Sequence, residues 1–207
     1  MLPDDAGVLV PDLVTRFRAA QTYAEYEEGL RVYDATPLPD DASADDRAHK
    51  SFATINLQRA SRIARTYSPC EEIVATMRAL PGPQTWGVLS EVWCGDSAQI
   101  IPYLARIAGL RDDVTFRVMA RDENPDVMDR YRTNGTRSIP KLIVWNLRGE
   151  QLFTWGPRPA GAQAVVDEAL AACLPKEERR ERLHLWYGRD RGRGIEAEIA
   201  ALLRGAR

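Results

Sequence analysis

The stretch 91-EVWCGDSAQIIPYLARI-107 decides how this chain reads. It sets one cysteine, Cys94, at a strand-to-helix junction and a serine, Ser97, three residues later. Upstream, "TWGVLSEVW" (85–93) is a short run rich in β-branched and aromatic residues, as a strand requires. Downstream, Ile100, Ile101, Leu104 and Ile107 fall on one stripe at helical spacing within 97–110. A residue that opens a helix sits where unpaired backbone N–H groups and the helix dipole favour negative charge. Since the thiolate is the reactive form of cysteine, position alone makes Cys94 a candidate nucleophile. The competing reading is a buried cysteine acting as a small hydrophobe.

Working outward, "VTFRVMA" (114–120), "KLIVWN" (141–146) and "QLFTW" (151–155) read as further strands, the last two joined by a hairpin at "LRGE". Helical patterns occupy 124–135, with Pro125 near the start and Gly135 after the end, and 160–174. The order β, α, β, α, β, β, α predicts an α/β domain with a mixed sheet covered by helices on its faces. The first eighty residues read as helices. Tyr23, Tyr26, Leu30 and Tyr33 keep helical spacing, "DATPLPDDASADD" (34–46) is a break, and 48–67 is one long periodic segment. Ser68, Pro69 and Glu71 read as N-cap, first helical residue and capping-box acid of the next helix, which "PGP" (81–83) ends. The expected organisation is an N-terminal helical extension (1–80), a central domain (81–174) and a C-terminal helical extension (175–207). Phe17, Tyr23, Tyr26, Trp186 and Tyr187 are read as packing the extensions on the core.

The 207 residues are 44% hydrophobic and 28% charged, the balance of a soluble globular chain. The N-terminus carries acids where a signal peptide needs bases, and no apolar run reaches membrane-spanning length, so a cytoplasmic protein without a membrane partner is expected. Residues 176–207 carry nine Lys/Arg against six acids. Glu177, Glu178, Glu181, Glu196 and Glu198 interleave with the arginines there, so the tail reads as a solvated helix laced with ion pairs rather than a nucleic-acid surface. Cys70, Cys94 and Cys173 are odd in number and widely spaced, which argues against a zinc site or a disulfide framework. Cys70 falls in the first turn of its helix and Cys173 reads as packing; pairing of either with Cys94 stays open.

Four landmarks in order carry a resemblance to the thioredoxin superfamily: Trp93-Cys94, Pro102 eight residues after the cysteine, Ile139-Pro140 opening a strand, and Gly156 sixteen residues beyond Pro140. "WCGDS", "RDENPDVMDRYRTNGTRSIP" and "WGPRP", between Trp86 and Arg158, further resemble a bacterial thioredoxin-like subgroup. The resemblance implies a thioredoxin-like mixed central sheet flanked by helices, Cys94 as nucleophile, and a cis bond before Pro140 that leaves the Ile139 backbone free to pair with an extended substrate. Two departures matter. Val88 stands where thioredoxins keep a buried acid, and Ser97 stands where they keep the resolving cysteine. A hydroxyl cannot resolve a mixed disulfide, although it can donate a hydrogen bond to the Cys94 thiolate.

The implied activity is therefore monothiol thiol-disulfide exchange on protein disulfides or mixed disulfides, with an external low-molecular-weight thiol as resolver and no metal or organic cofactor. Trp93 is read as a hydrophobic shelf, and Gly95, Asp96, Ile139, Pro140 and Gly156 as lining the substrate site. Asp96 stabilises the helix start but disfavours a second anion beside it. Arg137 and Arg158, with Arg121, suit a basic pocket for a thiol bearing carboxylates, such as glutathione, or ion pairs with Asp96, Asp122 and Asp129. A protein-binding module and a redox sensor are the alternatives.

Overall fold

Seven consecutive residues, all buried, form the central strand β1 (Gln84–Ser90) in the computed structural model, which describes residues 10–206. The first nine residues of the acidic N-terminal stretch and Arg207 lie outside the described residues. β1 runs parallel to β2 (Val114–Ala120) and antiparallel to β3 (Lys141–Asn146), and β3 pairs antiparallel with β4 (Gln151–Trp155). The order is β2-β1-β3-β4. This is a mixed, thioredoxin-like sheet flanked by helices, with helical extensions at both ends of the chain.

Because side chains alternate across a strand, β1 supplies both faces of the sheet. Trp86 and Val88 join Phe116, Val118, Leu142 and Val144 on one face, covered by Ile100, Ile101, Leu104 and Ile107 of α6 (Gly95–Ala108). Leu89 joins Met119, Ile143 and Trp145 on the other, under Phe17 of α1 (Val10–Arg18) and Val127 and Met128 of α7 (Pro125–Arg130). Phe17 is fully buried, its ring 5.1 Å from that of Trp145. Gly87 makes room for it, since a Cβ there would lie 2.4 Å from the Phe17 ring.

The N-terminal extension adds α2 (Tyr23–Ala35), α3 (Ala44–Lys50), α4 (Ala53–Thr66) and α5 (Glu71–Arg78); α8 (Ala160–Ala171) closes the central domain, and the C-terminal extension adds α9 (Lys176–Asp190) and α10 (Arg193–Gly205). α4 lies against α6, α10 against α5 and α9 against α8. None of the helices among the described residues is long and apolar enough to cross a membrane.

Several local expectations are corrected. The segment 48–67 is two helices, because a Ser43–Asp46 capping box starts α3 inside the supposed break and Lys50 closes it on the carbonyls of Tyr33 and Asp34. α5 is capped at Cys70, not Ser68. No side chain of its own caps it, and Glu196 of α10 accepts from the Cys70 N–H at 2.7 Å, a partner no local reading reveals. β1 ends at Ser90, so Trp93 lies in the turn that follows it. α7 stops at Arg130, and Asn134 and Gly135 take positive φ in a separate turn. Cys173 is exposed with φ 52° rather than packed.

If α1 is part of the core, Phe17→Ala should lower the unfolding free energy by about 3–5 kcal/mol, read as a fall in urea midpoint at unchanged slope. A loss under about 1 kcal/mol would mean that α1 merely rests on the surface.

Candidate functional site

Cys94 is the N-cap residue of α6, with extended backbone, and its carbonyl accepts from the Ala98 N–H at 3.1 Å. Its sulfur lies 3.6 Å from the carbonyl oxygen of Ile139, to which the thiol donates. The Ile139-Pro140 bond is cis, and so is Gly156-Pro157. Gly156, at φ 109°, meets this turn so closely that a Cβ would lie 2.4 Å from the Pro140 oxygen, so no other residue fits. Lys141 Nζ donates to the Gly156 carbonyl at 3.2 Å and fastens the two segments together.

Cys94 is only 8% exposed. Burial pushes the thiol from its ordinary value of 9.0 up to about 11, and the Asp96 charge acts in the same direction. The Ser97 hydroxyl and the backbone N–H groups of Ser97 and Asp96 pull the other way without prevailing. The helix terminus does favour the anion, but desolvation outweighs it. Ser97 is fully buried, and among the described residues its hydroxyl has no other hydrogen-bond partner. It is positioned to donate to sulfur once that sulfur carries charge.

Asp96 is itself buried and held from two sides. Arg158 approaches one oxygen at 2.6 Å and the Tyr187 hydroxyl donates to the other at 2.8 Å. Arg137 grips Asp129 with two nitrogens at 2.6 and 2.7 Å, and Arg121 pairs with Asp122 at 2.7 Å while lying 4.9 Å over the Trp93 ring. Each of the three arginines is thus engaged by a carboxylate. Of the three, Arg158 also lines a cavity that reaches Gly95 and Asp96. Glu91 is half-buried, and its carboxylate accepts from the Asp122 N–H at 2.7 Å. Val88 is fully buried in the core.

Both histidines of the chain border the motif, one from each extension, and nothing in their sequence context places either of them there. His49 stacks on Trp93, rings 4.1 Å apart and nearly parallel. The His184 ring lies 3.4 Å from where a Gly95 Cβ would sit, and its Nδ1 is 3.4 Å from Gln99 Nε2. Burial, then the charges of Arg59, Arg180 and Arg158, hold His184 neutral with a pKa down at about 3. Fully buried Asn56 of α4 donates to the Trp93 carbonyl at 3.1 Å. Asn56 and Tyr187 both sit on apolar stripes of their helices, where a polar group signals a long-range partner without saying which. Cys70 and Cys173 are exposed, and all three cysteines are free. No group of three His, Cys, Asp or Glu that could hold a metal occurs among the described residues.

A family model described as thioredoxin matches residues 21–170. Among solved structures, a protein of unknown function from Pseudomonas aeruginosa is 14% identical with a TM-score of 0.59, over 92% of this chain and 96% of that one. An HIV epitope-scaffold is 15% identical with a TM-score of 0.56, over 90% of this chain and all of that one. At such identities the likeness shows the fold alone. No curated protein matches the chain.

In a Cys70→Ser/Cys173→Ser background, Asp96→Asn removes the anion beside the sulfur and should lower the Cys94 midpoint, followed by thiolate absorbance; an unchanged or higher midpoint would contradict the assigned cause. His184 is neutral in the fold but binds a proton near pH 6.5 when unfolded, so its contribution is complete above pH 6.5 and lost as pH falls toward 3. His184→Gln should therefore lose less stability than the parent across that window in denaturant titrations at stepped pH. Parallel losses in the two chains would show that His184 is not desolvated.

Proposed function

The chain belongs to the thioredoxin family, and from that premise we propose that it performs thiol-disulfide exchange with Cys94 as its single nucleophile and an external low-molecular-weight thiol as resolver. One observation carries this reading. The Cys94 sulfur lies against the Ile139 carbonyl at the start of α6, while the position from which a second thiol would attack holds the buried hydroxyl of Ser97.

In the first step the Cys94 thiolate attacks one sulfur of a protein disulfide or a small-thiol mixed disulfide. A Cys94–S–S–R bond forms, the substrate S–S bond breaks, and the second sulfur leaves as thiolate. In the second step an external thiolate attacks the mixed disulfide, Cys94 leaves with the electron pair, and the external thiol carries the disulfide away. Oxidation state is exchanged between partners and no other oxidant is consumed. A reducing compartment such as the cytoplasm supplies such a thiol.

A rise of two pKa units cuts the thiolate fraction near neutrality about a hundredfold, while the more basic thiolate is intrinsically about tenfold more nucleophilic. The net penalty is about tenfold, so exchange is slow rather than abolished. The same basicity makes Cys94 a poor leaving group, so its mixed disulfide should persist. One observation favours a second reading, a partner-binding module: the motif is covered by His49, Asn56 and Tyr187 from the two extensions.

Incubating the reduced chain with glutathione disulfide and mapping the adduct separates the two. Exchange predicts a mixed disulfide at Cys94 that persists until a small thiol is added, survives Cys70→Ser/Cys173→Ser and is lost in Cys94→Ser. No adduct at Cys94, or an internal disulfide in its place, would sink the monothiol mechanism.

A further inference from the structure

We propose that the basic cavity closed by α9 against the start of α6 binds the carboxylates of the resolving thiol. The inference rests on the exchange reading for its biological sense but not for its test. The cavity, about 270 Å³, is bordered by Gly95 and Asp96, the two residues that follow Cys94. That is below the usual span of about 300–1,000 Å³ for whole-ligand pockets, so it suits one arm of a small molecule whose sulfur stays outside, at Cys94.

Its charge is lopsided. Arg158, Lys176, Arg179 and Arg180 line it, against the single carboxylate of Asp96. That carboxylate is already held by Arg158 and Tyr187, and Arg180 pairs with Glu177 at 2.8 Å, leaving that acid largely in solvent. Lys176 and Arg179 have no ion pair among the described residues. The Arg158 Nε is buried without a hydrogen-bond partner there. Arg59 adds to the crowd: its pKa is lowered by burial and by the charges of Arg180 and Arg62. His184, on the cavity wall, stays neutral partly because these cations surround it.

Unpaired guanidinium and ammonium groups beside the first turn of a 14-residue helix form an environment for an anion. Planar guanidinium forks suit carboxylates. Since α9 supplies three of the four basic residues, the site belongs to the C-terminal extension and not to the central sheet. Of the arginines the sequence pointed to, Arg158 lines this cavity, whereas Arg121 and Arg137 pair with Asp122 and Asp129.

The test uses S-methylglutathione, which has two carboxylates and no free thiol, in calorimetric titrations of the full chain. Lys176→Glu/Arg179→Glu is the informative variant: both residues lie in the first turn of α9, where acids are favoured, so helix formation is not threatened. Saturable binding that weakens with salt, is unchanged in Cys94→Ser and falls at least about tenfold in the double variant is expected. No saturable binding, unchanged affinity in the double variant, or equal competition by inorganic phosphate would overturn the assignment. If the probe binds but Cys94 forms no adduct with a disulfide, the exchange reading fails and the cavity stands. If Cys94 forms the adduct but the probe does not bind, the exchange chemistry stands and the cavity assignment fails.

Discussion

The Asp96 carboxylate, pinned between Arg158 and Tyr187, is the interaction on which the site depends. It joins three pieces of chain that no local rule brings together: the first turn of α6, the segment after the cis Gly156-Pro157 bond, and α9 of the C-terminal extension. Removing one partner of a buried charge pair leaves the other desolvated and alone, at a cost of about 3–5 kcal/mol when both are deeply buried. Arg158 retains some solvent, so the cost here lies toward the lower end. The same carboxylate sits close enough to Cys94 to oppose its ionisation. One residue thus docks the extension and restrains the thiol.

Two opposing influences act on the sulfur. Helix-terminal N–H groups and the Ser97 hydroxyl favour the thiolate, while burial against Leu89 and the Ile139-Pro140 turn, with the Asp96 charge, favours the thiol. Burial wins. The covering contacts come from both extensions, His49 on Trp93 and Asn56 on the Trp93 carbonyl from one, His184 and Tyr187 from the other. The extensions thus cover the residues on either side of Cys94, while the sulfur itself lies against the Ile139 carbonyl of the central domain.

The parts that were legible in the sequence are those that period and punctuation encode. Runs rich in β-branched and aromatic residues at 85–93 and 114–120, the hairpin at 147–150 and the stripe from Ile100 to Ile107 yielded the order of elements along the chain and the placement of α6. The Cys94, Pro140 and Gly156 landmarks converge because the strand ends that carry them do. Long-range polar partners were not legible. Glu196 capping α5, Asn56 reaching Trp93 and Tyr187 reaching Asp96 each join residues dozens of positions apart, and nothing in their local pattern names the partner. The arginines illustrate the same limit: nearby carboxylates were visible in the sequence, but not which arginine would remain at a cavity.

The most direct test of a single guarded thiol is the alkylation rate of each cysteine by iodoacetamide across pH, resolved by peptide mapping, with exposed Cys70 and Cys173 as internal controls. A guarded sulfur should make Cys94 the slowest of the three near neutrality, with a rate that climbs through a midpoint near pH 11. A Cys94 that outpaces both controls at neutral pH, with a midpoint below 9.0, would contradict burial as the dominant influence on the thiol.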